Sequence, residues 1–516
     1  MMNGAESLAR TLLAQDVDVC FSNPGTSEMH FVAALDKVEG MRCILGLFEG
    51  VATGAADAYY RMTDKPACTL LHLGPGLANG LANLHNAKKA GSGIVNVVGE
   101  HARHHIAYNA PLTSDIRGVA TPMSAWVKTS ESAKTVAHDG ALAVHAARQA
   151  PGQIATLILP ADTAWEEGSG IDNTPYTGQR VPVAPEAVER AAQALQRPAK
   201  TALLLGGIGV REPALDWVGK IAAKTGCTVL SEYNTPRLQR GAGRVVTRRI
   251  PYAVDAAVAL LKDFDQIILV GAKAPVAFFA YPDKPSVLTA PQTQILSLAT
   301  AGDDIVQALS DLADRLQTRS LPAAGVAEFQ TTDLPSGALE PMGIGRLLAA
   351  LIPEGAVVVD ESVSTGRGFD LPTTHARPHD WLNVMGGAIG FGMPGAVGAA
   401  VGAPDRPVIL LEGDGSGMYT LQALWTMARE NLNVKVLVFA NRAYQILRGE
   451  LKNVGAGTPG KNATDMLTLD RPNLDWVALA KGHGVPGRQA TDLSSLAQAF
   501  KAALAEDGPF LIEVLM

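Results

Sequence analysis

Cysteine is scarce in this chain. Four thiols (Cys20, Cys43, Cys68, Cys227) are scattered over 516 residues, with no CxxC pair. That spacing excludes a zinc knuckle and a disulfide framework. It leaves each cysteine to pack as a small apolar side chain, in keeping with a reducing cytosol. Positive charge is also short: 43 Lys and Arg stand against 50 Asp and Glu, a net charge of −7. No general nucleic-acid surface is therefore expected, and Thr247-Arg248-Arg249 reads as solvated surface. The first residues, Met1-Met2-Asn3-Gly4-Ala5-Glu6, lack the basic-then-apolar layout of a signal peptide, so a cytoplasmic protein is expected. The longest weakly polar run, Gly386 to Ala403, holds seven glycines and Pro394. It lacks the bulky apolar residues of a membrane span and reads as a tight turn leading into a buried helix. No short internal repeat is evident.

What is present is an ordinary globular composition, 47% apolar and 18% charged, over a length that suits about three domains. The expected fold class is α/β, with three doubly wound parallel-sheet domains. In residues 1–165, helical patterns (Ala5–Gln15, Glu49–Met62, Leu77–Ala90) alternate with short apolar strands (Val17–Phe21, Ala67–His72, Ile94–Val98, Ala155–Leu159), as in a parallel sheet covered on both faces. Residues 186–317 form a second block, with strands at Thr201–Leu205, Thr228–Ser231, Gln266–Val270 and Gln294–Leu298. Residues 340–516 form a third, with strands at Val357–Asp360, Val408–Glu412, Val434–Ala440 and Pro509–Val514. The stretches Glu166–Pro185 and Gln317–Leu339 read as linkers.

Gly413-Asp414-Gly415-Ser416 lies where the strand Val408–Glu412 ends and before a helical stretch, Thr420–Asn431. Ligands of open parallel sheets bind at strand C-termini. The glycines let backbone N–H groups approach a phosphate, and Asp414 would repel that phosphate unless a cation sat between. The next strand ends at Asn441-Arg442-Ala443-Tyr444, with Asn441 28 positions after Gly413. Adjacent strand ends would thus supply a carboxylate and an amide oxygen, hard ligands that suit magnesium. Taken alone, Gly-Asp-Gly is as readily a strand-end turn with an aspartate cap.

With Asn441 added, the segment Gly413–Ile446 resembles the thiamine diphosphate motif of the pyruvate oxidase and acetolactate synthase superfamily. The resemblance extends over essentially the whole chain. It implies pyrimidine-binding, central and diphosphate-binding domains in that order, with thiamine diphosphate and Mg2+ as cofactors. By position it makes Asp414, Asn441 and the carbonyl of Ala443 the magnesium ligands. Gly415, Ser416 and Tyr444 become diphosphate contacts, with Ser362 and Ser364 beside them. The family often carries two asparagines where this chain has Ala440-Asn441; the ligand position is the one retained.

Glu49 opens a helix rich in small residues, where a carboxylate also suits the helix dipole. The resemblance gives it the part of the glutamate that activates the aminopyrimidine, a desolvated acid. Ile389, within Gly386-Gly387-Ala388-Ile389-Gly390-Phe391, takes the part of the bulky residue that bends the cofactor, an orienting device, and Gly387 offers its carbonyl. Glu49 and the diphosphate turn are expected from different subunits of a homodimer or homotetramer.

Asn23-Pro24-Gly25-Thr26-Ser27-Glu28 reads locally as a turn N-capped by Thr26 or Ser27. It also resembles a segment of benzoylformate decarboxylases, which implies a catalytic Thr26 and, after the strand Ala67–Leu71, a catalytic His72. His104 and His105 resemble the paired histidines of pyruvate decarboxylase. A metal at His101, His104 and His105 has no acidic or thiol partner nearby. The central-domain histidine of benzoylformate decarboxylases has no counterpart in Ala274–Tyr281, where Phe278 and Phe279, with Ile446, could form an apolar wall. The implied activity is decarboxylation of a 2-keto acid, the product fragment being protonated to an aldehyde or captured by a second carbonyl, as in acetolactate synthases. Two other readings stand: a cofactor-binding but silent homologue, and a nucleotide-dependent dehydrogenase. Gly206-Gly207-Ile208-Gly209 invites the latter but lacks the full GxGxxG fingerprint, which leaves FAD below thiamine diphosphate as a cofactor.

Overall fold

The computed structural model describes residues 2–516. Its three sheets follow one another along the chain. The first is parallel throughout, with spatial order Arg42–Leu45, Val19–Asn23, Ala67–Leu71, Ile94–Glu100, Ile154–Pro160 and Trp126–Thr129. Ile94–Glu100 and Ile154–Pro160 are buried at every position, as continuous apolar strands must be when helices cover both faces. The second sheet orders Arg248–Arg249, Thr228–Ser231, Thr201–Leu205, Gln266–Val270 and Gln294–Ala299, again in parallel.

The third sheet has seven strands: Gly487–Ala490, Phe510–Leu515, Val434–Ala440, Val408–Gly413, Val357–Glu361, His379–Asn383 and Leu238–Arg240. The last belongs by sequence to the central block, yet it pairs antiparallel with His379–Asn383 and stitches the central domain to the C-terminal sheet. Three residues without apolar alternation give no strand signal; the free edge of the third sheet recruits them.

The first and third domains meet through two helices made of small residues. Thirteen residues of the helix Glu49–Thr63 are buried, against ten of Gly392–Gly402. Their backbones approach closely: a Cβ on Gly398 would sit 1.9 Å from the Ala55 carbonyl oxygen. Overpacking a site this tight costs ~1–3 kcal/mol or more. Within the first helix Arg61 makes a bidentate pair with Asp57, at 2.8 and 2.5 Å, and across the junction it donates to the Asn383 carbonyl at 2.7 Å.

Several local expectations need correction. The helix drawn from Leu77 begins at Leu73, with His72 as its N-cap residue, so Gly74-Pro75-Gly76 lies inside its first turn. The helix placed over Thr420–Asn431 is shorter, Ala423–Arg429, and a separate helical turn, Asp414–Gly417, precedes it. Cys43 is exposed, whereas Cys20, Cys68 and Cys227 are buried. Arg248 and Arg249 form an edge strand against Leu230 and Ser231 and line a cavity; Arg248 is exposed, as expected, and Arg249 is half-buried. Among the described residues no helix is long and apolar enough to cross a membrane.

Candidate active site

Two adjacent strand ends of the third sheet carry the predicted phosphate and metal residues. Register pairs Gly413 with Phe439, which brings Asp414 beside Asn441-Arg442-Ala443. The Arg442 N–H donates to Asp414 Oδ2 at 2.6 Å, and the Ala443 N–H donates to Asn441 Oδ1 at 3.0 Å. Arg442 bridges the two with a left-handed φ of +57°, which a non-glycine residue holds only where its surroundings over-determine it. Burial pushes the Asp414 carboxyl up to about 6, against the pull of the Arg442 and Gly415 N–H groups. Gly415 is packed under Tyr444: a Cβ there would lie 2.5 Å from the ring.

This set fits a diphosphate held with magnesium. It offers one carboxylate, one amide oxygen and a backbone carbonyl as hard oxygen ligands, beside a turn of backbone N–H groups. No group of three or more His, Cys, Asp or Glu side chains able to hold a metal occurs among the described residues. The two serines beside the turn have hydroxyls turned inward. Ser416 donates to Glu412 at 2.5 Å and Ser362 to Asp360 at 2.5 Å. Ser416 can therefore meet a phosphate through its N–H group, while Ser364 is half-buried.

Behind this turn sit two carboxylates that sequence reasoning missed. Register sets Glu361 directly opposite Glu412, both essentially buried. Burial raises Glu361 to about 7. Burial, then Glu361 itself, pushes Glu412 well up, so near neutral pH the pair retains a proton. Glu361 accepts from the N–H groups of Gly390 at 3.0 Å and Gly392 at 2.6 Å, clamping the turn that carries Ile389. Asn86 holds the other side of that turn, donating to the Ala388 carbonyl at 2.8 Å. Thr420 donates to the Gly390 carbonyl at 3.0 Å. Ile389 is half-buried, and Gly387 adopts φ +74° above Phe278. An acidic residue ending an apolar strand is visible in sequence, but the pairing depends on strand order.

The first sheet gathers a second group. Glu49 is 8% exposed and accepts from Asn79 at 2.9 Å. Gly76 lies between it and His72: a Cβ there would meet Glu49 Oε1 at 3.1 Å and His72 Cβ at 3.3 Å. His72 Nδ1 is 2.8 Å from Glu28 Oε2 and 3.3 Å from the Ser27 hydroxyl. Glu28, 2% exposed, also accepts from the Gly25 N–H at 2.7 Å and from Ser27 at 2.7 Å. It therefore does the capping expected of Thr26 or Ser27. Its place three residues beyond Gly25 is the sequence signal, since a carboxylate at that spacing reaches back to an N-cap amide. Thr26 begins the same turn with no side-chain bond to it. His104 and His105 are exposed on the short helix Arg103–Ile106. The His105 ring stacks near His101 at 5.5 Å, and neither His104 nor His105 is hydrogen-bonded to His72.

The fold and these two groups of residues define a cofactor-binding α/β enzyme of two related terminal domains and a central one. Residues 2–120 match the model of the thiamine pyrophosphate enzyme N-terminal TPP binding domain, and residues 370–514 match that of the C-terminal TPP binding domain. IlvX of Mycobacterium tuberculosis, provisionally named an acetolactate synthase large subunit, is 48% identical over 100% of this chain and 99% of its own length. The benzoylformate decarboxylase of Pseudomonas aeruginosa is 30% identical, over 96% and 95%. A thiamine diphosphate-dependent 4-hydroxybenzoylformate decarboxylase of Rhodococcus jostii superposes with a TM-score of 0.88 at 24% identity, over 100% and 99% of the two chains, a likeness of fold. The chain belongs to the thiamine pyrophosphate enzyme family, is homologous to both acetolactate synthases and benzoylformate decarboxylases, and takes thiamine diphosphate as its cofactor.

Proposed function

We propose that this enzyme decarboxylates a 2-keto acid and protonates the product fragment to an aldehyde, in the manner named by its benzoylformate decarboxylase relatives. When bound, thiamine diphosphate supplies the electron sink for the bond to the departing carboxylate. Asp414, Asn441 and the Ala443 carbonyl would hold Mg2+, and Gly415, Ser416, Ser364 and Tyr444 would receive the diphosphate, with Ser362 behind them. Glu49 would place its carboxyl against the pyrimidine ring and supply a proton there, and Ile389 with Gly387 would orient that ring. Thr26 and His72 face the keto acid, while His104 and His105 lie further out on the rim. The active unit is a homodimer or homotetramer, with Glu49 of one chain serving the diphosphate turn of another. The three domains span residues 1–165, 186–317 and 340–516, and the compartment is the cytoplasm.

One observation carries the decarboxylase reading. Glu28 is buried and holds His72 Nδ1 at 2.8 Å, which fixes a proton-carrying ring beside Glu49. A second reading, carboligation to an acetolactate-like product, is favoured by the 48% identity to IlvX. Incubation of the Mg2+- and cofactor-loaded protein with benzoylformate and with pyruvate separates the two. Benzaldehyde or acetaldehyde supports the first reading and acetolactate the second. Release of no carbon dioxide from any 2-keto acid offered overturns both.

A further inference from the structure

A cavity of about 690 Å3 opens between the Arg248–Arg249 edge of the central sheet and the Leu238–Arg240 edge of the third, with Trp381 on the next strand. Its size is that of a small-molecule site. Five arginines line it: Arg240, Arg244, Arg248, Arg249 and Arg367. Arg244 is paired with Glu212 at 2.8 Å. Among the described residues the other four form no ion pair with a carboxylate. Arg248 and Arg367 are exposed, whereas Arg240 and Arg249 are half-buried; burial brings Arg240 down to about 10, with Asp370 and Asp360 pulling the other way and Arg249 adding to the repulsion.

Of the three carboxylates that share the lining, Asp360 and Glu232 are engaged or partly neutralised, and the Asp370 carboxylate offsets the charge of Arg240. Asp360 accepts from the Ser362 N–H and, at 3.1 Å, from the Trp381 indole. Glu232 is pushed up by burial and accepts from the Lys273 N–H at 3.1 Å. Asp370 gives its backbone carbonyl to Arg240.

Two of the arginines are aimed by aromatic rings. Arg249 lies 4.1 Å over Tyr233 and Arg367 lies 4.5 Å over Tyr252, each a cation–π contact. The two tyrosine rings are 5.3 Å apart, so both guanidinium groups sit at one end of the cavity. Arg367 makes no side-chain hydrogen bond among the described residues, and its planar fork of donors suits a carboxylate or phosphate. Tyr252 continues the row to Phe278 at 5.6 Å. A Cβ on Gly387 would touch Phe278 at 2.9 Å, so the row ends at the turn bearing Ile389.

We propose that this cavity binds a small organic anion with a flat apolar body, its charged end on Arg249 and Arg367 and its body along Tyr233 and Tyr252. The inference does not depend on the proposed decarboxylation. The anion has two possible sources, the keto acid on its way to the Gly387 turn and a separate effector, and both share this chemistry.

The test titrates the cofactor- and Mg2+-saturated protein calorimetrically with benzoate and with neutral benzyl alcohol, so that the diphosphate site is already filled. Benzoate is expected to bind saturably and more tightly than benzyl alcohol. Arg249→Gln and Arg367→Gln are each expected to weaken it by roughly tenfold or more, the loss of one charge-assisted contact, with thiamine diphosphate affinity unchanged. Arg367 is exposed, so its variant carries the test should Arg249→Gln fail to fold. Absence of saturable binding, equal binding of the neutral probe, or an unchanged benzoate Kd in Arg367→Gln overturns the proposal. Initial rates with benzoate present then assign the source: competition with the keto acid marks the approach path, and activation or mixed inhibition marks a separate effector.

Discussion

Replacing Asp414 with Asn should do two opposite things. In the cofactor-free protein burial pushes the carboxyl up to about 6 from its ordinary 3.8, because burial disfavours its charged form. Between those two values the folded state binds more protons than the unfolded state, so rising pH destabilises the cofactor-free protein. Above pH ~6 the penalty is complete. At 1.36 kcal/mol per pKa unit, the gap of about 2 corresponds to roughly 3 kcal/mol. An amide removes that penalty and can still accept from the Arg442 N–H, which lies 2.6 Å from Oδ2. The assay compares the Tm of wild type and Asp414→Asn, both free of cofactor, at pH 5 and pH 7.5. The wild type should lose more stability on going to pH 7.5, because Glu361 and Glu412 titrate alike in both proteins. The same variant should fail to retain thiamine diphosphate in the presence of Mg2+. Wild-type cofactor retention by Asp414→Asn would refute the ligand assignment. Identical pH responses would refute the electrostatic reasoning.

Further outcomes follow from the other residues. Glu49→Gln should bind thiamine diphosphate with Mg2+ and remain folded by circular dichroism yet lose turnover; undiminished kcat would remove Glu49 from the chemistry. Ile389→Ala should keep cofactor affinity within a few-fold and lose about 100-fold in kcat, the scale of a misplaced reacting group; a kcat near wild type would show that Ile389 only fills space. Glu28→Gln and His72→Ala should each lower kcat, with the double variant little worse than His72→Ala alone, since contacting residues in one network are not additive. Multiplicative losses in that cycle would separate the two residues.

Strand ends were the most legible part of the chain in sequence. Val408–Leu411 and Val436–Ala440 are unbroken apolar runs, so the turns after them could be located to within a residue or two, and with them Asp414 and Asn441. The small-residue helices at 49–63 and 392–402 were equally plain, because their glycines and alanines leave room for a close approach. Edge strands were mostly not legible, Gln294–Ala299 excepted. Arg42–Leu45, Trp126–Thr129 and Leu238–Arg240 are short and polar, and only their neighbours' free edges make them strands. Side-chain partnerships across strands were also out of reach: Glu361 meets Glu412, and Glu28 meets His72, through sheet order that no local spacing encodes. Arg248-Arg249 looked like surface because charge runs usually are. Only the third sheet, folding back over the central domain, turns them toward a cavity.

The most direct measurement of the account is carbon dioxide release from carboxyl-labelled benzoylformate and pyruvate by purified protein stripped of cofactor and then reloaded. Release that requires thiamine diphosphate and Mg2+ together, and that Glu49→Gln abolishes, is the predicted result. Release that persists without either component, or none from any 2-keto acid with both present, would contradict it.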